Sequence, residues 1–157
     1  MYGTGIRQAE LIGLKTSDID WAQGQIRVLG KRNKERLIPI IPALATTLKH
    51  YMAQRNAYPG TSAHSFLLVT NKGNKIYPAF VYRLIKTYFR SVSNKISTSP
   101  HVLRHSFATH MLDAGADINV VKEILGHESL AATQEYTKVQ LPKVQDAYRA
   151  AHPRAKK

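Results

Sequence analysis

Proline positions constrain this chain strongly, because they set where most of its helices can begin. Proline is favoured in the first turn of an α-helix, where the backbone N–H that it lacks has no intrahelical partner. Four prolines stand where such helices would start. We therefore expect helices from Pro42 to about Arg55, from Pro78 to about Val92, from Pro100 to Gly115, and from Pro142 into the basic C-terminal tail.

Capping residues and strand patterns predict the remaining elements. Thr4 is expected to cap a first helix through about Leu14, and a short helix from Asp117 is expected to end at Gly126. Residues 131–139 predict one more helix. Residues 25–29 and 36–40 predict a β-hairpin with a basic tip at 30–35, and residues 66–69 a short strand before a turn at 71–74. The expected fold is mainly α with a small antiparallel hairpin or sheet (α+β), in one domain.

The charge balance points to a polyanionic partner. The 157 residues include 23 Lys and Arg against 10 Asp and Glu, a formal charge of +13 at pH 7. Nucleic acid is the usual partner for such an excess, although a soluble basic surface or a membrane-attracted patch remains an alternative. No apolar run is long enough to span a bilayer, so we expect no membrane partner and a cytoplasmic location. Without cysteine, disulfides and thiolate metal sites are excluded.

The stretch HVLRHSFATH, residues 101–110, allows three interpretations. His101 and His105 share a helix face, as two zinc ligands would, but Val102 occupies the position where metalloproteases need glutamate and no third ligand is evident. We therefore expect no metal. Alternatively, the stretch is a structural helix whose apolar face is Val102, Leu103, Phe107, Met111 and Leu112. The third interpretation is the centre of an active site, and spacing alone leaves all three open.

Four sequence motifs follow one another along the chain, and their order is informative. YGTGIRQAELIGLKTSDID is followed by GKRNKER in the hairpin tip, then by HVLRH, and finally by LGHESLAATQEYTKV. Together they resemble the tyrosine recombinases, the site-specific recombinases of the phage-integrase and Xer type, over essentially the whole chain. The tail AHPRA resembles the end of Xer-type members. The resemblance implies a catalytic set of Arg7, Lys31, His101, Arg104, His127 and the nucleophile Tyr136.

Other residues receive subsidiary roles. Glu10 matches an acidic position common in the family, and it either orients Arg7 or is a charge on a helix face. His105 is expected to support packing or a hydrogen bond, and His110 to be structural or exposed. Lys31 competes with Lys34 for the catalytic position. The basic residues expected to contact DNA phosphates are Arg32, Lys34 and Arg36.

The resemblance implies a fold and an assembly. Residues 1–157 are expected to be a tyrosine recombinase catalytic domain, the C-terminal part of a larger recombinase whose N-terminal DNA-clamping domain is absent here. Residues 141–157 are expected to form a C-terminal exchange helix and basic tail, with Val144, Ala147, Tyr148 and Ala151 on one face. The implied partners are double-stranded DNA and other protomers, in a tetramer on DNA with exchange of this helix. No cofactor is implied.

The chemistry of these residue types is consistent with strand exchange. A tyrosine–phosphate ester is a good leaving group, so a 3′-phosphotyrosyl link conserves the energy of the broken strand and rejoining needs no ATP. Two arginines can stabilise negative charge on the non-bridging oxygens without a metal, a histidine can exchange a proton, and a hairpin lysine can protonate the leaving 5′ oxygen. The alternatives are a non-catalytic DNA-binding module with the same fold and a type IB topoisomerase.

Overall fold

The computed structural model describes residues 1–30, 33–58, 61, 64–90, 99–126 and 140–152. A three-stranded antiparallel sheet lies among short helices, as expected for an α+β fold. Between the first helix and the sheet lies one 3₁₀ turn, Thr16–Asp18. In chain order the elements are α1 (Gln8–Gly13), β1 (Ile19–Asp20), β2 (Gln25–Leu29), β3 (Glu35–Pro39), α2 (Pro42–Asn56), α3 (Pro78–Arg90), α4 (Pro100–Asp113), α5 (Ile118–Leu125) and α6 (Gln140–Ala151).

The sheet confirms the predicted hairpin and adds one short strand. Strand β2 pairs antiparallel with β3, so that Ile26 lies opposite Ile38 and Val28 lies opposite Arg36. Ile26, Val28 and Ile38 are buried, because side chains two residues apart share a face of the sheet. The same alternation places the Arg36 side chain on the buried face.

The core forms where α4, α5 and α6 meet the sheet. Phe107 and Met111 of α4 are fully buried, and Tyr148 of α6 packs against Phe107 with 6.1 Å between ring centroids. Val144 and Ala151 are buried on the same side of α6. The predicted apolar stripe of the last helix therefore packs on its own chain.

Two predicted helix starts and one predicted strand were wrong. The first helix begins at Gln8 rather than after Thr4, because Gly5 adopts a positive φ of 62° and closes a turn with its N–H 2.7 Å from the Met1 carbonyl. Residues 66–69 form two isolated bridges instead of a strand. The last helix begins at Gln140, two residues before the predicted Pro142.

The remaining helix predictions agree with the structure where it describes them. Helices α2, α3 and α4 begin at their predicted prolines, and α5 is capped by the Asp117 side chain and ends at Gly126, which has a positive φ of 64°. The helix predicted at 131–139 lies outside the described residues. No helix in the described ranges is long and apolar enough to cross a membrane.

Candidate active site

The C-terminal end of α5 collects three arginine side chains. The carbonyl groups in the last turn of a helix lack intrahelical partners and carry the negative end of its dipole, so they favour cationic donors. Here three consecutive carbonyl oxygens each accept a hydrogen bond from a different arginine. The pairs are Arg36 Nε to Ile124 O at 2.8 Å, Arg104 Nη2 to Leu125 O at 2.7 Å and Arg7 Nη2 to Gly126 O at 3.1 Å.

Gly126 makes this turn possible. Its left-handed backbone ends the helix, and a Cβ at this position would lie 3.1–3.2 Å from atoms of the Arg36 side chain. Glycine is therefore required both for the conformation and for the close approach of the arginine.

Glu10 connects two of the arginines. Its side chain is only 6% exposed, and each carboxylate oxygen accepts two hydrogen bonds. Oε1 accepts from Arg7 Nη1 at 3.0 Å and from Arg36 Nη1 at 2.9 Å, while Oε2 accepts from the Arg7 backbone N at 2.7 Å and from Arg36 Nη2 at 2.8 Å. Glu10 is therefore not an exposed charge on a helix face, and it contacts both the side chain and the backbone of Arg7.

The pKa of Glu10 reflects these contacts. Burial by itself raises the pKa of the carboxyl, but the hydrogen bonds from Arg36 and from the Arg7 backbone outweigh that effect and lower it to about 2. Glu10 is therefore a carboxylate at neutral pH, and it remains available to both arginines.

The burial of Arg36 contradicts the prediction that this residue contacts DNA phosphates. Its side chain is 6% exposed, and its donors bind Glu10 and the Ile124 carbonyl. The sequence signal for this burial was the alternation in the predicted strand, because Arg36 stands two residues before Ile38 and therefore shares its buried face. Arg36 is thus an internal partner of the site rather than a phosphate contact.

Arg104 and Arg7 differ in exposure. Arg104 is partly buried and also donates to the Gly5 carbonyl, and its pKa is lowered to about 10, first by burial and then by the positive charge of Arg7. It still carries its charge at neutral pH. The Arg7 side chain is 42% exposed. Three guanidinium groups and one carboxylate leave a surplus of two positive charges, and the partly exposed Arg7 and Arg104 can direct it towards an anion.

The structure describes some of the other predicted site residues and not the rest. His101 is exposed in the first turn of α4, three residues before Arg104, and His105 is exposed with no hydrogen bond to any described residue. His110 is exposed and its Nδ1 lies 2.7 Å from the Tyr2 hydroxyl, in agreement with its expected role. Lys34 is exposed at the hairpin tip. The predictions for Lys31, Arg32, His127 and Tyr136 lie outside the described residues.

Comparison with known proteins identifies relatives over nearly the whole chain. The model of the "Phage integrase family" matches residues 1–141. Tyrosine recombinase XerC of Chlorobaculum tepidum is 41% identical over 99% of this chain and 48% of its own length. Tyrosine recombinase XerD of Halalkalibacterium halodurans is 40% identical over 99% of this chain and 52% of its own length. The chain thus spans about half the length of the curated relatives it matches.

Solved structures support the same relationship. The crystal structure of XerA recombinase matches with a TM-score of 0.75 and 30% identity, over 94% of this chain and 55% of that one. XerH site-specific recombinase, crystallised with its difH substrate before cleavage, matches with a TM-score of 0.69 and 28% identity, over 90% of this chain and 42% of that one. The family match, the relatives and the fold lead to one conclusion: this chain belongs to the phage integrase family, among its tyrosine recombinases.

Proposed function

We propose that this chain is the catalytic domain of a larger site-specific recombinase, which cleaves and rejoins DNA through a 3′-phosphotyrosyl intermediate. The observation that supports it most is the arginine cluster at the end of α5. Arg7 and Arg104 come from positions 97 residues apart, yet they donate to adjacent carbonyls of Leu125 and Gly126. The next residue in the sequence is His127, and Tyr136 follows nine residues later.

In this proposal the arginines act on the phosphate. Arg7 and Arg104 stabilise the negative charge that grows on the non-bridging oxygens, and their hydrogen bonds to fixed carbonyls and to Glu10 hold them in place before DNA arrives. Prepositioned donors need no reorganisation during the reaction, which is why they lower the barrier more than solvent does.

The proposed covalent step follows from the residue types. The Tyr136 oxygen forms a bond to phosphorus as the bond to the 5′ oxygen breaks, so the 3′ end remains attached to the protein. The phenol proton passes to a histidine, His101 or His127, and the 5′ oxygen takes a proton from Lys31. Attack by another 5′ hydroxyl reverses the step and joins the strands.

Double-stranded DNA is the proposed partner. The formal charge of +13 and the exposed Lys34 at the hairpin tip favour a polyanion, and Arg32, two positions earlier in the sequence, is proposed to contact phosphates as well. The structurally similar XerH was crystallised on its DNA substrate.

Assembly with other protomers on DNA, as a tetramer that exchanges residues 141–157, belongs to the same proposal. In the described chain, Val144, Tyr148 and Ala151 are buried within their own domain. Every copy has the same side chains packed against this helix, among them Phe107, so exchange between protomers would preserve the contacts that α6 makes here.

A covalent trapping assay tests the function. The chain is incubated with a pool of nicked duplexes that have randomised core sequences. The nick lets the short strand dissociate after cleavage, which prevents rejoining, and EDTA is present to remove divalent metal ions. We expect a protein–DNA adduct that survives denaturation, and none with Tyr136→Phe. The matched control Tyr58→Phe, which alters an exposed tyrosine, should form the adduct as the parent does.

The outcomes separate the rival functions. An adduct that persists in Tyr136→Phe contradicts the assignment of the nucleophile. Binding of duplex DNA without any adduct supports the non-catalytic binding module. An adduct on the nicked duplexes together with relaxation of an intact supercoiled plasmid, but no strand exchange between duplexes, supports the type IB topoisomerase.

A further inference from the structure

Arg36 is a buried cation that the catalytic set does not include. Its guanidinium makes a bidentate contact with Glu10, while its third nitrogen donates to the Ile124 carbonyl. We propose that Arg36 is a positioning residue that holds Arg7, through Glu10, in the orientation that binds phosphate. The inference rests on the proposed role of Arg7 in the reaction.

The sharing of the Glu10 oxygens supports this role. Arg36 occupies one acceptor position on each oxygen, at 2.9 and 2.8 Å, which fixes the plane of the carboxylate. The other acceptor position on each oxygen then faces Arg7, where it receives the backbone N–H and Nη1. The direction of the Arg7 side chain is therefore set from a residue that is itself buried and cannot touch DNA.

The charge balance gives a second argument. With Arg36 present, the single carboxylate is shared between two guanidinium groups, and the cluster keeps a surplus of two positive charges. Without Arg36, Glu10 would face Arg7 as its remaining hydrogen-bonding cation. Without the Arg36 fork the plane of the carboxylate is no longer fixed, so Arg7 loses its set direction, and the surplus of positive charge falls to one.

The position of Arg36 on β3 makes the contact specific. A planar fork with a separate Nε donor can bind two carboxylate oxygens and a carbonyl at once, whereas a lysine ammonium is a single point. A Cβ on Gly30, at the start of the hairpin tip, would lie 3.5 Å from Arg36 Nη1 and 3.8 Å from Glu10 Oε1. The base of the hairpin thus closes over the pair, so Arg36 also anchors the strand that follows Lys31.

The first test observes Arg7 without any reaction. Arginine side-chain ¹H–¹⁵N spectra are recorded for the parent, Arg36→Lys, Arg36→Met and the matched controls Arg27→Lys and Arg27→Met on the neighbouring strand. The Arg7 signals are assigned by their loss in Arg7→Lys. We expect separate Nη signals for Arg7 in the parent and both controls, because its rotation is restrained, and their collapse into one averaged signal in both Arg36 variants.

Arg36→Lys is expected to fold even if Arg36→Met does not, because the lysine retains a positive charge beside the buried carboxylate. If the Arg7 signals remain separate in folded Arg36→Lys, the proposal is overturned. This readout does not depend on cleavage, so it decides the positioning role even if the parent forms no covalent adduct and the proposed function fails.

The second test measures single-turnover adduct formation on saturating DNA. Displacement of a positioned group by about 1 Å costs on the order of 10²-fold in rate, so we expect a loss of about that size for Arg36→Met and about 10-fold for Arg36→Lys, with the Arg27 variants unchanged. A methylphosphonate at the cleaved position removes the charge that Arg7 stabilises. We expect the Arg36→Lys defect to shrink on this substrate; an equal defect on both substrates would show a purely structural role and overturn the proposal.

Discussion

Two regions of the molecule bury an arginine to almost the same extent, with different consequences. Arg55, at the end of α2, is 7% exposed, and Arg36, on β3, is 6% exposed. The Arg55 guanidinium donates to the carbonyls of Thr61, His64 and Phe66 and to the Asn56 side chain. All these partners are neutral, and they lie within eleven residues of Arg55 in the sequence.

The arginine cluster at the end of α5 is built in another way. Arg36 shares the carboxylate of Glu10 with Arg7, and its other partner is 88 residues away. One member of the cluster, Arg7, remains 42% exposed and the whole cluster keeps excess positive charge. The two arginines are therefore equally buried but differ in their partners. The hydrogen bonds of Arg55 end on neutral groups, whereas those of Arg36 lead through Glu10 to Arg7, a charged side chain that solvent can reach.

Substitution of an arginine by methionine in each of the two regions should separate effects on the rate of cleavage from effects on stability. Arg7→Met removes the proposed phosphate donor, and the loss of such a donor costs on the order of 10²–10³ in rate. We expect adduct formation to fall by that factor, while the free energy of unfolding changes little because Arg7 is partly exposed. A cleavage rate within a few-fold of the parent would contradict the role of Arg7; urea unfolding of the same samples provides the stability control.

Arg55→Met should have the opposite effect. It leaves the carbonyls of Thr61, His64 and Phe66 without their donor, which costs about 2–3 kcal/mol of unfolding free energy. We expect the urea midpoint to fall, and the rate of adduct formation per folded molecule to stay at the parent value. If Arg55→Met slows cleavage as much as Arg7→Met does in fully folded protein, the distinction between the two regions fails.

The pH dependence of stability tests whether the arginine cluster holds Glu10 as a carboxylate. Its pKa is about 2 in the folded chain and 4.5 as the ordinary value, so the unfolded chain binds a proton more readily. The stabilisation is complete above pH 4.5 and is lost as the pH falls towards 2, by an amount on the order of 2 kcal/mol. Urea unfolding at intervals between pH 2.5 and 7 should show this loss in the parent and a smaller one in Glu10→Gln. Parallel curves for the two proteins would mean that Glu10 is not held as a carboxylate by Arg36 and Arg7.

Much of the local structure was predictable because it depends on neighbouring residues. Prolines at helix starts, the glycine that ends α5 and the alternation within the β2–β3 hairpin all act over a few residues. The prediction for Thr4 failed within the same range, because the positive φ of Gly5 turns the chain before a helix can begin. The spacing of residues 66–69 predicted a strand, but a strand needs a partner ladder and here only isolated bridges form.

The starts of α2, α3 and α4, the hairpin and the family could be predicted from the sequence, since they follow from local conformational preference and from ordered motifs. The partners of each charged side chain depend on the tertiary structure. Arg36 and Lys34 stand two positions apart in one basic run, yet strand register turns Arg36 into the core and leaves Lys34 in solvent. Glu10 could have been a surface charge, but it is the shared acceptor of two arginines because the Arg36 side chain of β3 reaches it. The physical reason is that the energy of a charge depends on its burial and on its partners, and those partners come from distant parts of the chain.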